Sequence, residues 1–165
     1  MILKFYELNK IDISKQKFHL FYGNNEGLKR EEILKLCSKS KKKIFKFDEK
    51  QILENTENFF NDIYSGSLFE NEKFIVINHA SEKILKIIQE ILEKKIEDIL
   101  ILINAGQLDK RSKLRSTFEK NKELIAVGFY PDTNETLTKL TQNFMMEKKI
   151  TLSQMNVNFI VNKCN

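Results

Sequence analysis

Short apolar runs alternate with amphipathic stretches along most of the chain. Phe18-His19-Leu20-Phe21-Tyr22 reads as a strand closed by Gly23, and Asn24 and Asn25 can cap a helix carrying Leu28, Ile33, Leu36 and Cys37. Ile44-Phe45-Lys46-Phe47 reads as a second strand. Ile52, Leu53, Phe59, Phe60 and Ile63 then fall on one face at helical spacing, which predicts a single helix. Phe74-Ile75-Val76-Ile77 is a third strand, followed by a helix that Ser81 can cap, with Ile84, Leu85, Ile88, Ile91 and Leu92 three and four apart. Residues 99–103 (ILILI) form a fourth strand, and Asp109 can cap a helix carrying Leu114 and Phe118. Residues 124–129 (LIAVGF) form a fifth, closed by Pro131, which has no N–H to give to a ladder.

Five strands separated by helices predict an α/β fold: a five-stranded parallel sheet with helices on both faces. A strand wet on one side would alternate apolar and polar residues. The third and fourth strands do not alternate, so both of their faces should be buried. Beyond Pro131, Asp132 with Glu135 resembles a capping box. Leu137, Leu140, Phe144 and Met145 mark a helix, and residues 151–165 read as the first part of another. The expected division is an α/β domain over residues 1–140 and the start of a helical domain over 141–165.

Composition narrows the class. With 41% hydrophobic and 31% charged residues in 165, the chain can bury a core and is not of disordered type. Residues 99–103 are the longest purely apolar run and fall far short of a membrane span, and Lys4 interrupts the N-terminal apolar residues too early for a signal peptide. Cys37 and Cys164 match no metal spacing. A cytoplasmic protein with reduced thiols and no membrane contact is expected. The net charge is +5, but the only dense cluster is residues 39–46 (KSKKKIFK), which reads either as a solvated loop or as a phosphate-facing patch.

A strand, a glycine and a helix start form the setting of a P-loop. That loop needs G-x-x-x-x-G-K-[ST], whose amides and lysine cradle phosphates while the hydroxyl holds magnesium. Here Gly23-Asn24-Asn25-Glu26-Gly27-Leu28-Lys29-Arg30 is one residue short between its glycines. Leu28 replaces the lysine, no Ser or Thr follows Lys29, and Glu26 would face the phosphates. The third strand ends in Asn78-His79-Ala80 rather than in acids that would handle magnesium and water. His79 reads as an exposed strand-end residue or a lone acid–base group, and His19 as a packed or edge residue. No cofactor, no metal site and no catalytic residue are expected, which leaves a scaffold or binding role. The alternatives are a diverged nucleotide-binding ATPase and a basic nucleic-acid-binding α/β module.

Four segments in order resemble the delta subunit of the DNA polymerase III clamp loader. Leu20-Phe21-Tyr22-Gly23-Asn24-Asn25-Glu26-Gly27-Leu28-Lys29-Arg30-Glu31 resembles its first strand and degenerate phosphate loop. Ser67-Leu68-Phe69, then Lys73-Phe74-Ile75-Val76-Ile77, resembles its clamp-contacting element and the next strand. Ala105-Gly106-Gln107-Leu108-Asp109-Lys110-Arg111-Ser112-Lys113-Leu114-Arg115 and Phe129-Tyr130-Pro131-Asp132 resemble the segment after the fourth strand and the passage into the lid domain. Where the family often has glutamine and a bulky apolar residue in the clamp element, this chain has Tyr64 and Gly66.

The resemblance implies an AAA+ type, P-loop NTPase-like domain with an empty nucleotide site at Gly23, Asn24, Asn25, Glu26 and Gly27, then the start of a helical lid domain. The family's collar domain is expected to be absent. The implied role is a non-catalytic subunit that binds and opens the sliding clamp in DNA replication, grouped by its holoenzyme with DNA-directed DNA polymerase. The implied partners are the clamp, other loader subunits joined through the collar, and DNA in the assembled complex. The implied clamp contacts are Ser67, Leu68 and Phe69. On their residue types alone, Leu68 and Phe69 read as sealing the core beneath the third strand. Arg111, Lys113 and Arg115 read as a solvated helix face or as a reach toward a neighbouring subunit or DNA.

Overall fold

A computed structural model describes residues 1–4, 8, 16–64, 72–94, 96 and 98–164. The sheet is wholly parallel, in the order β1-β6-β2-β5-β4-β3. Its strands are β1 (Ile2–Lys4), β2 (Phe18–Tyr22), β3 (Lys43–Asp48), β4 (Lys73–Ala80), β5 (Ile99–Ala105) and β6 (Leu124–Gly128). The helices are α1 (Glu26–Lys39), α2 (Glu49–Glu54), α3 (Thr56–Tyr64), α4 (Leu85–Glu93), α5 (Lys113–Lys120), α6 (Asn134–Glu147) and α7 (Gln154–Cys164). The α/β architecture with helices on both faces is therefore as expected, with six strands rather than five. The sixth, Ile2–Lys4, pairs with Ala126–Gly128 at the sheet edge. Three residues, one of them a half-exposed Ile2, carry too little apolar signal to announce a strand.

Two cores result from the two-residue period of the strands. One face of the sheet, with Leu20, Tyr22, Ile75, Ile77, Ile101 and Ile103, receives Ile52 of α2, Phe59 and Ile63 of α3, Ile88 and Ile91 of α4, and Leu114 and Phe118 of α5. The other face, with Phe21, Phe74, Val76, Leu100, Leu102, Ile125 and Val127, receives Ile33 and Cys37 of α1. β6, β2, β5 and β4 lie inside the sheet, which is why they carry apolar residues on both faces; each such buried side chain stabilises by about 1.5–3 kcal/mol. His19 sits in the middle of β2 and is fully buried, a packed residue.

Three helix starts differ from expectation. The predicted single helix through Ile52 and Ile63 is two. Asn55 ends α2, and its Oδ1 accepts the amide of Asn58 at 3.2 Å to open α3, so the apolar stripe continues across a break. α5 is capped by Ser112, not Asp109: Ser112 Oγ accepts from the Arg115 amide at 3.1 Å, while the Asp109 carbonyl accepts from Ser112 N in the preceding turn. α6 is capped by Thr133 with Thr136, each hydroxyl accepting the other's amide, at 3.2 and 2.8 Å. Asp132 is left to accept from the Thr136 hydroxyl, and Glu135 to pair with Lys139 at 2.7 Å. Ser81 does cap the turn Glu82–Ile84 that leads into α4.

The chain divides into two compact units, Met1–Phe129 and Tyr130–Asn165. α6 lies wholly in the second unit. In that unit α7 buries Val157 and Val161, α6 buries nothing, and Leu140, Phe144, Met155 and Phe159 are exposed.

Candidate functional site

The carboxyl ends of β2, β5 and β6 meet where an open parallel sheet ordinarily takes a ligand. Gly23 leaves β2 with φ +121°, and a Cβ there would lie 2.0 Å from the carbonyl oxygen of Phe129. Only glycine permits that approach. It lets Gly23 N–H donate to Gly106 O at 3.0 Å, Asn25 N–H to Phe129 O at 3.2 Å, and Phe129 N–H to Tyr22 O at 2.8 Å. The loop is thus sewn to the ends of both neighbouring strands.

The helix start is satisfied in the same inward way. Asn25 caps α1 by accepting the Leu28 amide on its Oδ1 at 3.2 Å and the Lys29 amide on its carbonyl at 3.0 Å, and Glu26 N–H donates to Asn24 O at 2.9 Å. A phosphate held at this helix end would require those same N–H groups. The charge is committed as well. Lys29, one turn into α1, is only 1% exposed and donates to Ala105 O at 2.6 Å and Glu26 Oε1 at 2.7 Å. A buried ammonium is tolerable only when paired in this way. Asn24 Nδ2 closes the rim on Gln107 Oε1 at 2.9 Å. Gly23, Asn24 and Asn25 form the turn between β2 and α1, Glu26 and Gly27 open the helix, and Lys29 is the internal counter-charge. Sequence reasoning passed over that role for Lys29. Its spacing from Ile33 and Cys37, both on the inward face of α1, is the signal that finds it.

Around this loop the remaining candidates are structural. Asn104 Nδ2 donates to Asn78 Oδ1 at 3.2 Å, tying β5 to β4. His79 is exposed at the strand end, with φ +53°, and its Nδ1 lies 2.6 Å from Asp48 Oδ2. That contact, reinforced by the Lys50 amide, holds the Asp48 carboxyl below its ordinary value. Glu49 accepts from the Ser81 amide and hydroxyl at 2.8 Å each. Arg115 donates to Glu119 at 2.7 Å and to Leu108 O at 3.1 Å, with its guanidinium 4.8 Å from the Tyr22 ring centroid, whereas Arg111 and Lys113 are exposed. Of the residues 39–46, Lys39, Lys41, Lys43 and Lys46 are exposed, the last two on the edge strand β3, where lysine opposes the addition of a further strand. Among the described residues no three His, Cys, Asp or Glu converge as metal ligands, and no helix is long and apolar enough to cross a membrane.

Ser67, Leu68 and Phe69, with Gly66, lie outside the described residues. Their flanks are at the amino ends of the strands, whereas the Gly23 loop is at the carboxyl ends. Glu72 O accepts from Lys43 N at the amino end of β3, and the last turn of α3 meets Lys73 at the amino end of β4.

A family model described as DNA polymerase III, delta subunit, matches residues 19–127. Among solved structures, the chain is similar to the Bacillus subtilis DNA clamp loader delta protein (YqeN), with TM-score 0.61 and 13% identity over 94% of this chain and 50% of that one. It therefore spans about half the length of that relative. Domain III of the Thermotoga maritima replication initiation protein DnaA aligns with TM-score 0.42 and 11% identity, over 94% of this chain and 72% of that one. No curated protein matches.

Proposed function

The chain belongs to the DNA polymerase III delta subunit family, and on that premise we propose that it binds and opens the sliding clamp without binding or hydrolysing ATP. The observation that carries the second half is the closed loop. The amides of Gly23, Asn25, Glu26, Leu28 and Lys29 and the Lys29 ammonium, donors that a phosphate site would use, are all met inside the protein. An incoming triphosphate would have to break those bonds and bring its charge up to Glu26, whose side chain is 68% exposed at the helix start.

The clamp contact is assigned to Leu68 and Phe69, with Ser67 beside them. Two apolar side chains filling a pocket on the clamp face make a small, desolvated hot spot. Work on the clamp then comes from binding energy, because a partner with higher affinity for the open ring shifts the ring toward opening. The other partners in this reading are the remaining loader subunits and, in the assembled complex, DNA.

The test is clamp release. Clamps from the same organism are loaded on nicked circular DNA, and their loss is followed with and without this chain. Release that the chain accelerates equally with and without ATP and magnesium is the expected result. Release unchanged by the chain, or dependent on ATP, overturns the proposal.

A further inference from the structure

The net charge of +5 sits in one place. Residues 39–46 (KSKKKIFK) hold five lysines and no acid, and the other 23 basic residues, 28 less these five, balance the 23 acidic ones. The fold sets the five on the rim of the sheet. Lys39 ends α1, and Lys43 and Lys46 lie on the edge strand β3. The turn between them is held: the Ser40 amide donates to Leu36 O at 3.1 Å and to Cys37 O at 3.2 Å, and the Ser40 hydroxyl accepts from Lys42 N at 3.1 Å. Burial raises the Cys37 thiol and the Lys46 ammonium opposes it, so Lys46 lies beside the end of α1 that carries Lys39.

Two of the five are used inside the protein. Lys42 pairs with Glu72 at 3.0 Å, and the Lys43 ammonium lies 5.4 Å from the ring centroid of Phe45. Lys39, Lys41 and Lys46 are exposed and meet no carboxylate among the described residues. The neighbouring acids are taken, Glu31 and Glu32 by Lys35 and Asp48 by His79. The dipole of α1 accounts for a cation at Lys39, and one or two lysines suffice to keep a further strand off the edge. The remainder repel one another with no compensation inside the protein, a cost that a polyanion relieves.

We propose that this lysine rim, from the end of α1 to the middle of β3, binds the phosphate backbone of duplex DNA without regard to sequence. Lysine is a compact point charge, suited to neutralising phosphates and releasing their counterions. A protein partner would call for an apolar centre, and a membrane surface for an apolar face to insert; the rim offers only Ile44, 37% exposed. A single strand would call for exposed rings on which bases stack, and Phe45 and Phe47 are packed against the core. Duplex phosphates need nothing but the charge. The contact is made by this chain alone and stands or falls apart from the clamp reading.

The experiment titrates the chain into a short fluorescent duplex of arbitrary sequence at a series of salt concentrations and reads anisotropy. Wild type should bind, with an affinity that falls steeply as salt rises. K39Q/K41Q/K46Q should weaken binding at low salt at least about tenfold and make the log–log salt slope shallower by about 2–3. Its melting temperature should stay that of wild type, because all three side chains are exposed. K39R/K41R/K46R keeps the charge and should bind as wild type does. The control K110Q/R111Q/K113Q removes the same charge from exposed positions around the start of α5 and should bind within about twofold of wild type. No binding by wild type, or an equal loss in the control, overturns the proposal. So does a melting temperature that falls together with affinity, which would make the lysines structural. Equal or tighter binding of the matching single strand, or retention on phosphatidylserine vesicles without binding of duplex, assigns the rim to another partner and overturns it as well.

Discussion

Gly23 has no side chain, and the loop is built on that fact. Its backbone is in a region that L residues rarely adopt, and the Phe129 carbonyl occupies the place of a Cβ at 2.0 Å. Gly23→Ala should therefore cost at least about 2 kcal/mol, combining backbone strain with the loss of the Gly106 and Phe129 hydrogen bonds. Gly106→Ala is the control: a Cβ there meets nothing within 4 Å, and the change should stay within about 0.5 kcal/mol. Denaturant unfolding of both variants checks this, and equal midpoints would contradict it. The glycine was legible in the sequence as the close of a strand. The reason for it was not, because Phe129 is far away in the chain and becomes its neighbour only when β6 joins β2.

Among the elements, α2 and β4 are coupled through the Asp48–His79 contact, whose effect on the carboxyl has a definite sign. Asp48 closes β3, caps α2 and meets His79 at the end of β4. The His79 contact first, and the Lys50 amide second, hold its carboxyl below the ordinary 3.8. A carboxyl depressed in the folded state contributes stability above its unfolded value and loses it as pH falls through the folded one. His79→Ala should therefore lower stability above the ordinary carboxylate value, and the difference from wild type should shrink as pH falls through the depressed one. Thermal melts of both proteins across that range are the check; a difference that persists unchanged in acid would show that His79 acts through packing. This pair could not be read from the sequence, since β3 and β4 become neighbours only through their parallel register. Helix boundaries were hidden for a related reason. Asn55 interrupts the backbone between α2 and α3 without interrupting the apolar face, and periodicity reports faces, not hydrogen bonds.

At the scale of the whole molecule, the sheet was the most legible feature. β4 and β5 lie between other strands and between two layers of helices, and the absence of polar alternation in their sequences follows directly from that burial. β1 escaped because three edge residues leave almost no pattern. The departure of Gly23 and Gly27 from the P-loop spacing was legible in the sequence. Lys29 was not, because a lysine in an amphipathic helix ordinarily faces water, and only the carbonyl of Ala105 and the carboxylate of Glu26 make the inward orientation possible. The same sheet separates the two ends of the account. The closed loop sits at the carboxyl ends of the strands, and the flanks of the segment carrying Leu68 and Phe69 sit at the amino ends.

The most direct test pairs clamp affinity with melting temperature for wild type and the double variant Leu68→Ala, Phe69→Ala. Two side chains that bury fully on the clamp should forfeit about 3–6 kcal/mol when truncated, or roughly two to four decades in dissociation constant. The free protein should melt at nearly the same temperature, since the pair is assigned to a partner's pocket and not to either core. Unchanged affinity contradicts the account, and a large fall in melting temperature would return Leu68 and Phe69 to the core of their own domain.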